Sequence, residues 1–327
     1  MKLNPVPSSK ELLDIAFRKA SKQMLPKVRQ NKKRELKLFV VKKISTAANS
    51  LDSRLEEIIK QFPDIDNAAP FLKEMISIII DLNEYKRSLG HLQSKKKLLK
   101  MVERKSIGLV HKSRNQKESA RAEKSFFGRA SSLIRELTTD LELLEKARKE
   151  LKEFPDIDAE APTIIIAGFP NAGKTTLLKR LTGSEPEIAA YPFTTKGLQI
   201  GHFEERYLRY QAIDTPGLLD RKMSERNPIE RKAISALRHL AGMIVFVVDA
   251  TETSGFSLQE QKHLLQEIQQ EFGKKTIVVL NKADISSAEQ IEKAKKEFPS
   301  AIIEGEGIES ELKKTIVREL KDAVKKE

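Results

Sequence analysis

Eight residues, Gly168-Phe169-Pro170-Asn171-Ala172-Gly173-Lys174-Thr175, lie between a short apolar run at Thr163–Ala167 and a helical stretch at 176–181. The pattern G-x-x-x-x-G-K-[ST] in a strand–turn–helix setting constrains this chain more than any other feature. Gly168 and Gly173 let backbone amides curl around phosphate oxygens, and the start of the helix adds its positive end. Lys174 would then reach the β- and γ-phosphates, and the Thr175 hydroxyl would ligate Mg²⁺. Phe169, Pro170, Asn171, Ala172 and Thr176 complete the expected phosphate-binding set. The plain alternative is a glycine-rich turn with no ligand, and two further motifs weigh against it.

Asp214 ends the apolar run Gln211-Ala212-Ile213 and opens Asp214-Thr215-Pro216-Gly217. Its carboxylate belongs at the carboxyl edge of a strand, where α/β proteins bind ligands, and would hold Mg²⁺. The Gly217 amide would sense the γ-phosphate. Asn281-Lys282-Ala283-Asp284 follows a second such run at 276–280. Guanine presents N1–H and N2–H₂, two donors that one carboxylate can accept together, and adenine cannot match them. Asp284 is placed to read that pair, with Asn281 on the other base edge and the Lys282 stem over the ring. An unpaired Asp284 would penalise the wrong base. Between the phosphate loop and Asp214, Tyr191-Pro192-Phe193-Thr194-Thr195 occupies the position of a first switch. Thr195 is favoured over Thr194 as the residue closing over Mg²⁺ and the γ-phosphate.

Around these motifs the pattern alternates. A hairpin is expected from 197–203 and 206–213, and buried strands at 243–248 and 275–280. Helices are expected at Pro228–Leu240, 257–271 and 287–297. This predicts a mostly parallel sheet covered on both faces. Residues 1–153 read instead as helix throughout. Ser8 with Glu11 makes a capping box for a helix to about residue 24. A second helix carries Leu36 to Ile59 and stops at Phe62-Pro63. A third should run from Pro70 to Leu89-Gly90, and two more from His91 to Phe154 with a break near Gly128. Phe62-Pro63-Asp64-Ile65-Asp66 recurs as Phe154-Pro155-Asp156-Ile157-Asp158, read as a shared helix stop. The expected organisation is an all-α helical-bundle domain at 1–160 and an α/β P-loop GTPase domain at 161–327.

The chain has no cysteine, which excludes disulfides, thiolate zinc sites and cysteine nucleophiles. Its five histidines show no metal-ligand pairing. There is no apolar signal core and no run long enough to span a bilayer, so a cytoplasmic monomer with no membrane partner is expected. The net charge of +13 is uneven: residues 1–150 hold 34 Lys and Arg against 19 Asp and Glu, and the remainder 26 against 28.

Gly-Phe-Pro-Asn-Ala-Gly-Lys-Thr with Tyr-Pro-Phe-Thr-Thr resembles the Obg-related branch of translation-factor-class GTPases. Asp214-Thr-Pro-Gly-Leu-Leu-Asp-Arg221, Glu225-Arg-Asn-Pro-Ile-Glu-Arg231 and the run from Asp249 to Gln261 are similar to the nucleolar GTP-binding protein (Nog) family. Tyr85-Lys86-Arg87-Ser88-Leu89-Gly90 and the helical first half are also of that kind. The resemblance implies a GTPase acting in large ribosomal subunit assembly, with its helical domain against rRNA. Eukaryotic members carry a long C-terminal extension, so the resemblance points to an archaeal-type short form. The family's last base-contacting loop maps either to Ser300-Ala301 or to Glu304-Gly305. Leu218 stands where Ras-like enzymes keep a water-orienting glutamine, which implies slow intrinsic hydrolysis. Asn171 resembles the asparagine with which some relatives bind a monovalent cation, so K⁺ or the ribosomal particle is expected to complete catalysis.

The basic clusters lie at 22–43 (Lys27, Arg29, Lys32, Lys33, Arg34, Lys37, Lys42, Lys43) and at 95–129 (among them Lys95, Lys96, Lys97, Lys100, Arg104, Lys105, Lys112, Arg114, Lys117, Arg121). On an exposed face they would attract a phosphate backbone. Few aromatics accompany them, which favours folded rRNA read by shape and charge over base stacking. A solvated lysine-rich surface, a GTPase acting on tRNA or translation, and a GTP-stabilised protein- or membrane-binding module stay open as alternatives.

Overall fold

The computed structural model describes residues 3–24, 32–152, 157–189, 191, 197–205, 207–303, 305 and 308–324. Among these, six helices precede the first strand: α1 (Ser9–Ser21), α2 (Lys32–Gln61), α3 (Pro70–Ile79), α4 (Leu82–Lys112), α5 (Gln116–Arg135) and α6 (Thr138–Lys152). The chain folds as two compact units. One is drawn from residues up to 68 and from 79 to 152, the other from 69–78 and from 153 onward.

In the helical unit the capping box forms as the sequence predicts. Glu11 N donates to Ser8 Oγ at 3.3 Å, and Ser8 N donates to the Glu11 carboxylate at 2.8 Å. Ile44, Ala47, Ala48, Leu51, Leu55 and Ile58 recur at three- and four-residue spacing along α2 and are all buried. Helix α2 packs on α1, α4 and α5, and α4 also on α6. Two expectations are corrected. The helix expected over Pro70 to Gly90 is broken at Asp81, whose carboxylate accepts from Asn83 N and Glu84 N and so caps α4. Gly128 breaks nothing and lies inside α5 on its exposed face; the chain turns instead before Asn115, which accepts from Glu118 N.

The other unit holds a seven-stranded sheet: β1 (Thr163–Ala167), β2 (Glu187–Ala189), β3 (Leu198–Glu205), β4 (Leu208–Asp214), β5 (Met243–Asp249), β6 (Thr276–Asn281) and β7 (Ile302–Ile303), in the order β2-β3-β4-β1-β5-β6-β7. Strands β4, β1, β5, β6 and β7 are parallel neighbours, and β2-β3-β4 are antiparallel. Among the described residues five α-helices follow β1: α7 (Lys174–Thr182), α8 (Pro228–Leu240), α9 (Leu258–Phe272), α10 (Ala288–Glu297) and α11 (Ile308–Val324).

The strand period of two divides the buried residues between the faces. Ile165, Ala167, Ile244, Phe246 and Val248 face a core with Phe71 and Met75 of α3, Ile234 and Leu237 of α8, and Leu264 and Ile268 of α9. Ile164, Ile166, Met243, Val245 and Val247 face the other core, with Leu177 and Leu181 of α7 and Leu312, Ile316 and Leu320 of α11. Helix α3 therefore belongs to the sheet unit, although its sequence neighbours α2 and α4 belong to the helical one. Glu74 of α3 also pairs with His239 of α8 at 3.1 Å.

Candidate functional site

Strand order reverses at β1, with β4 on one side and β5 on the other, and ligands of open α/β sheets bind at such a point. The register aligns the chain's motifs there: Ile166 pairs with Asp214, Ala167 with Phe246, and Asp249 with Asn281. Gly168, Asp214, Asp249 and Asn281 thus emerge together at the carboxyl edge.

Both loop glycines are required by close approach. A Cβ on Gly168, at φ 140°, would lie 2.5 Å from the Val247 carbonyl oxygen, and one on Gly173, at φ 98°, only 1.8 Å from Asn281 Nδ2. Asn171 adopts φ 61°, a left-handed conformation an asparagine tolerates. Lys174 is buried and its Nζ donates to the carbonyls of Gly168 at 2.9 Å and Phe169 at 2.8 Å. Thr175 Oγ1 donates to Asp214 Oδ2 at 2.7 Å, while Asp214 Oδ1 and Thr215 Oγ1 are buried with no partner among the described residues. Burial pushes the Asp214 carboxyl above the usual carboxylate range, against the pull of Lys174 and Thr175. A buried anionic oxygen without a donor, beside a threonine hydroxyl, is an environment that fits a hard divalent cation.

The loop expected to read the base is tied to the loop expected to hold phosphate. Asn281 Nδ2 donates to the Ala172 carbonyl at 2.8 Å, and Lys282 N donates to Asn281 Oδ1 at 2.7 Å. Lys282 Nζ reaches Asp249 Oδ2 at 2.8 Å and Thr253 Oγ1 at 3.0 Å. Burial alone would raise the Asp249 carboxyl. The bonds from Lys282, Thr251 and Ser254 outweigh it and hold the group down at about 2. The sequence reading gave Asp249 no role of its own, although its place after the apolar run at 243–248 resembles that of Asp214.

A cleft of about 860 Å³ brings together Pro170, Asn171, Gly173, Lys174, Thr175 and Thr176 with Asp214, Asn281, Lys282 and Asp284. Asp284 is exposed on its wall. Of the two candidates for the last base loop, Gly305 lines the cleft. Ser300 and Ala301 precede β7, whose parallel pairing of Ile302 with Val279 carries them toward the amino edge. Three predicted residues serve as scaffold: Gly168 passes under β5, Phe169 stacks on Phe256 at 3.9 Å, and Ala172 is fully buried. Gly217 lines a neighbouring cavity of about 550 Å³. Leu218 is committed to the hydrophobic core. Thr195 and Glu304 lie outside the described residues, as do Lys27 and Arg29 of the first basic cluster.

Phosphate loop, acidic strand end and guanine-reading loop on this sheet define the class: a P-loop GTPase. Residues 163–282 match the family described as 50S ribosome-binding GTPase, and residues 1–158 that described as NOG1 N-terminal helical domain. The chain belongs to the nucleolar GTP-binding protein (Nog) family. It is similar to nucleolar GTP-binding protein 1 of Encephalitozoon cuniculi, 33% identical over 86% of this chain and 54% of that protein. An uncharacterized protein of Methanocaldococcus jannaschii is 36% identical over 76% of this chain and 70% of its own. A crystal structure of a protein named as nucleolar GTP-binding protein 1 from Plasmodium falciparum is 30% identical over 53% of this chain and 93% of that one, with a TM-score of 0.44. The chain spans about half the length of most of the curated relatives it matches, 54% and 48% in two of them.

These names overturn the cytoplasmic expectation, since the relatives are named for the nucleolus. The physical reason is plain. Among the described residues no helix is long and apolar enough to cross a membrane, and that property does not distinguish one aqueous compartment from another.

Proposed function

We propose that this chain is a Mg²⁺-dependent GTP-hydrolysing switch for large ribosomal subunit assembly, whose helical unit holds rRNA. The observation that carries the nucleotide reading is the meeting, in one cleft, of the Thr175–Asp214 pair with Asn281, Lys282 and Asp284. Thr175 and Asp214, joined by Thr195 when GTP is present, would hold Mg²⁺, which would neutralise charge between the β- and γ-phosphates. Lys174 exchanges its loop carbonyls for phosphate oxygens. Asp284 accepts the two guanine donors, and Asn281 and Lys282 fix the loop that presents it. Leu218 cannot orient water. Hydrolysis therefore waits for another group, and K⁺ bound beside Asn171 is the candidate carried over from the family resemblance. Single-turnover rates that are equal in K⁺ and Na⁺ would rule out that cation.

The ribosomal part rests on the relatives' names, on the 50S ribosome-binding GTPase family and on charge. Lys43, Lys95, Lys96 and Lys100 pair with acids inside the helical unit. Lys97, Arg104, Lys105 and Lys112 of α4 and Lys117, Arg121 and Lys124 of α5 are exposed, which suits a phosphate backbone. Cosedimentation with large subunits, compared for GTP, GDP and a non-hydrolysable analogue, tests the reading. Nucleotide-dependent association is expected, and nucleotide-independent or absent association would overturn it.

A further inference from the structure

The segment after Asp214 is held by its own side chains. Gly217 N donates to Asp220 Oδ2 at 2.8 Å, and the Gly217 carbonyl accepts from Arg226 Nη1 at 2.8 Å. Arg226 Nη2 donates to the Arg221 carbonyl at 3.0 Å and lies 3.7 Å from Asp220 Oδ1. The Arg226 side chain is 0% exposed, and its Nε is buried with no partner among the described residues. Asp220 lines the nucleotide cleft as well as the cavity beside it. The amide that should meet a γ-phosphate is therefore bound to an anion of the chain itself.

We propose that Asp220 is an internal competitor of the γ-phosphate for the Gly217 amide, and that Arg226 is the positioning residue that receives Asp220 when the phosphate displaces it. This rests on the reading of the cleft as the GTP site. A carboxylate and a phosphate oxygen are alternative acceptors for one N–H, and their like charges disfavour holding both there. Displacement leaves Asp220 with a destination, because Arg226 is already within 3.7 Å and has an unused N–H. GDP lacks the γ-phosphate and leaves the Asp220 contact in place. The contact therefore biases the protein toward the GDP form without touching the base or the α- and β-phosphates.

The test is the affinity of the full chain for mant-labelled GDP and for the mant-labelled non-hydrolysable analogue GppNHp, in wild type, Asp220→Ala and Asp220→Asn. Removing a charge-assisted acceptor should raise the preference for the analogue over GDP by about tenfold in Asp220→Ala. A smaller rise is expected in Asp220→Asn, whose amide oxygen is a weaker acceptor. GDP affinity should stay at the wild-type value in both, which also reports that the variants fold. An unchanged ratio with normal GDP affinity would overturn the competitor role, and so would a fall in analogue affinity alone. Failure of the wild type to bind either nucleotide would instead remove the GTP-site reading, and the inference with it. Arg226→Lys supplies a further readout. It keeps the charge but loses the planar pair of donors, so the analogue preference should fall below wild type while GDP affinity is retained; an unchanged preference would overturn the receiving role of Arg226.

Discussion

Asp249 shows how one carboxylate can organise a loop it does not contain. Its Oδ2 accepts from Lys282 Nζ and Ser254 N, and its Oδ1 from Thr251. Its pKa of about 2 lies below the unfolded value of about 3.9. The stability this confers is fully present above pH 4 and is lost as pH falls through about 2, on the order of 2 kcal/mol. The difference in unfolding free energy between wild type and Asp249→Asn should shrink over that window, as read by urea unfolding at each pH. The role proposed for Asp284, exposed on the cleft wall, is chemical rather than structural. Asp284→Asn replaces an acceptor facing the guanine N2–H₂ with a donor, and should weaken GTP binding by roughly 10- to 100-fold with little change in ATP binding, measured by titration calorimetry. The gathering of Lys174, Thr175, Asp214 and Asp284 in one cleft was legible, because the spacing of the motifs and their strand-end positions bring them to one sheet edge. Asp220 and Arg226 were not, because their roles depend on how the chain doubles back after Gly217, which no local pattern records.

Among the elements, β1, β5 and β6 were legible because each is a short, continuous apolar run that the sheet buries. Strands β2 and β7 have three and two residues, too few for a period to show. The helical half misled where local preference competed with packing. Apolar continuity through Ile78, Ile79, Ile80 and Leu82 suggested one helix, but the Asp81 side chain captures two amides and starts another. Gly128 suggested a break, but a helical glycine costs only about 1 kcal/mol relative to alanine, and burial of Phe126, Ala130 and Ile134 offsets that. A Cβ added at Gly128 or Gly108 meets nothing within 4 Å. Gly108→Ala and Gly128→Ala should each stabilise the protein by about 0.5–1 kcal/mol, measured as a rise in the urea midpoint at constant m-value.

For the molecule as a whole, the charge division separates two tasks. The sheet unit holds the cleft proposed for GTP, and the cations exposed on α4 and α5 would give the helical unit a long-range attraction to polyanions. Affinity for rRNA should fall linearly in log–log form with salt, with a slope of about −0.7 to −0.9 per phosphate contacted. Replacing Arg104, Lys105 and Lys112 together by Gln should flatten that slope, as measured by filter binding over a salt series, and leave GDP affinity unchanged. Helix α3 has a different consequence at this scale. Phe71 and Met75 are filed in the gene between segments of the helical half, yet they complete the core beneath the sheet. The nucleotide-binding body is thus noncontiguous, and no single truncation yields it whole. A fragment beginning at residue 157 would expose the berth of two large side chains whose burial is worth about 1.5–3 kcal/mol each. It should melt below the intact chain, and a synthetic 69–80 peptide added in trans should recover part of the difference.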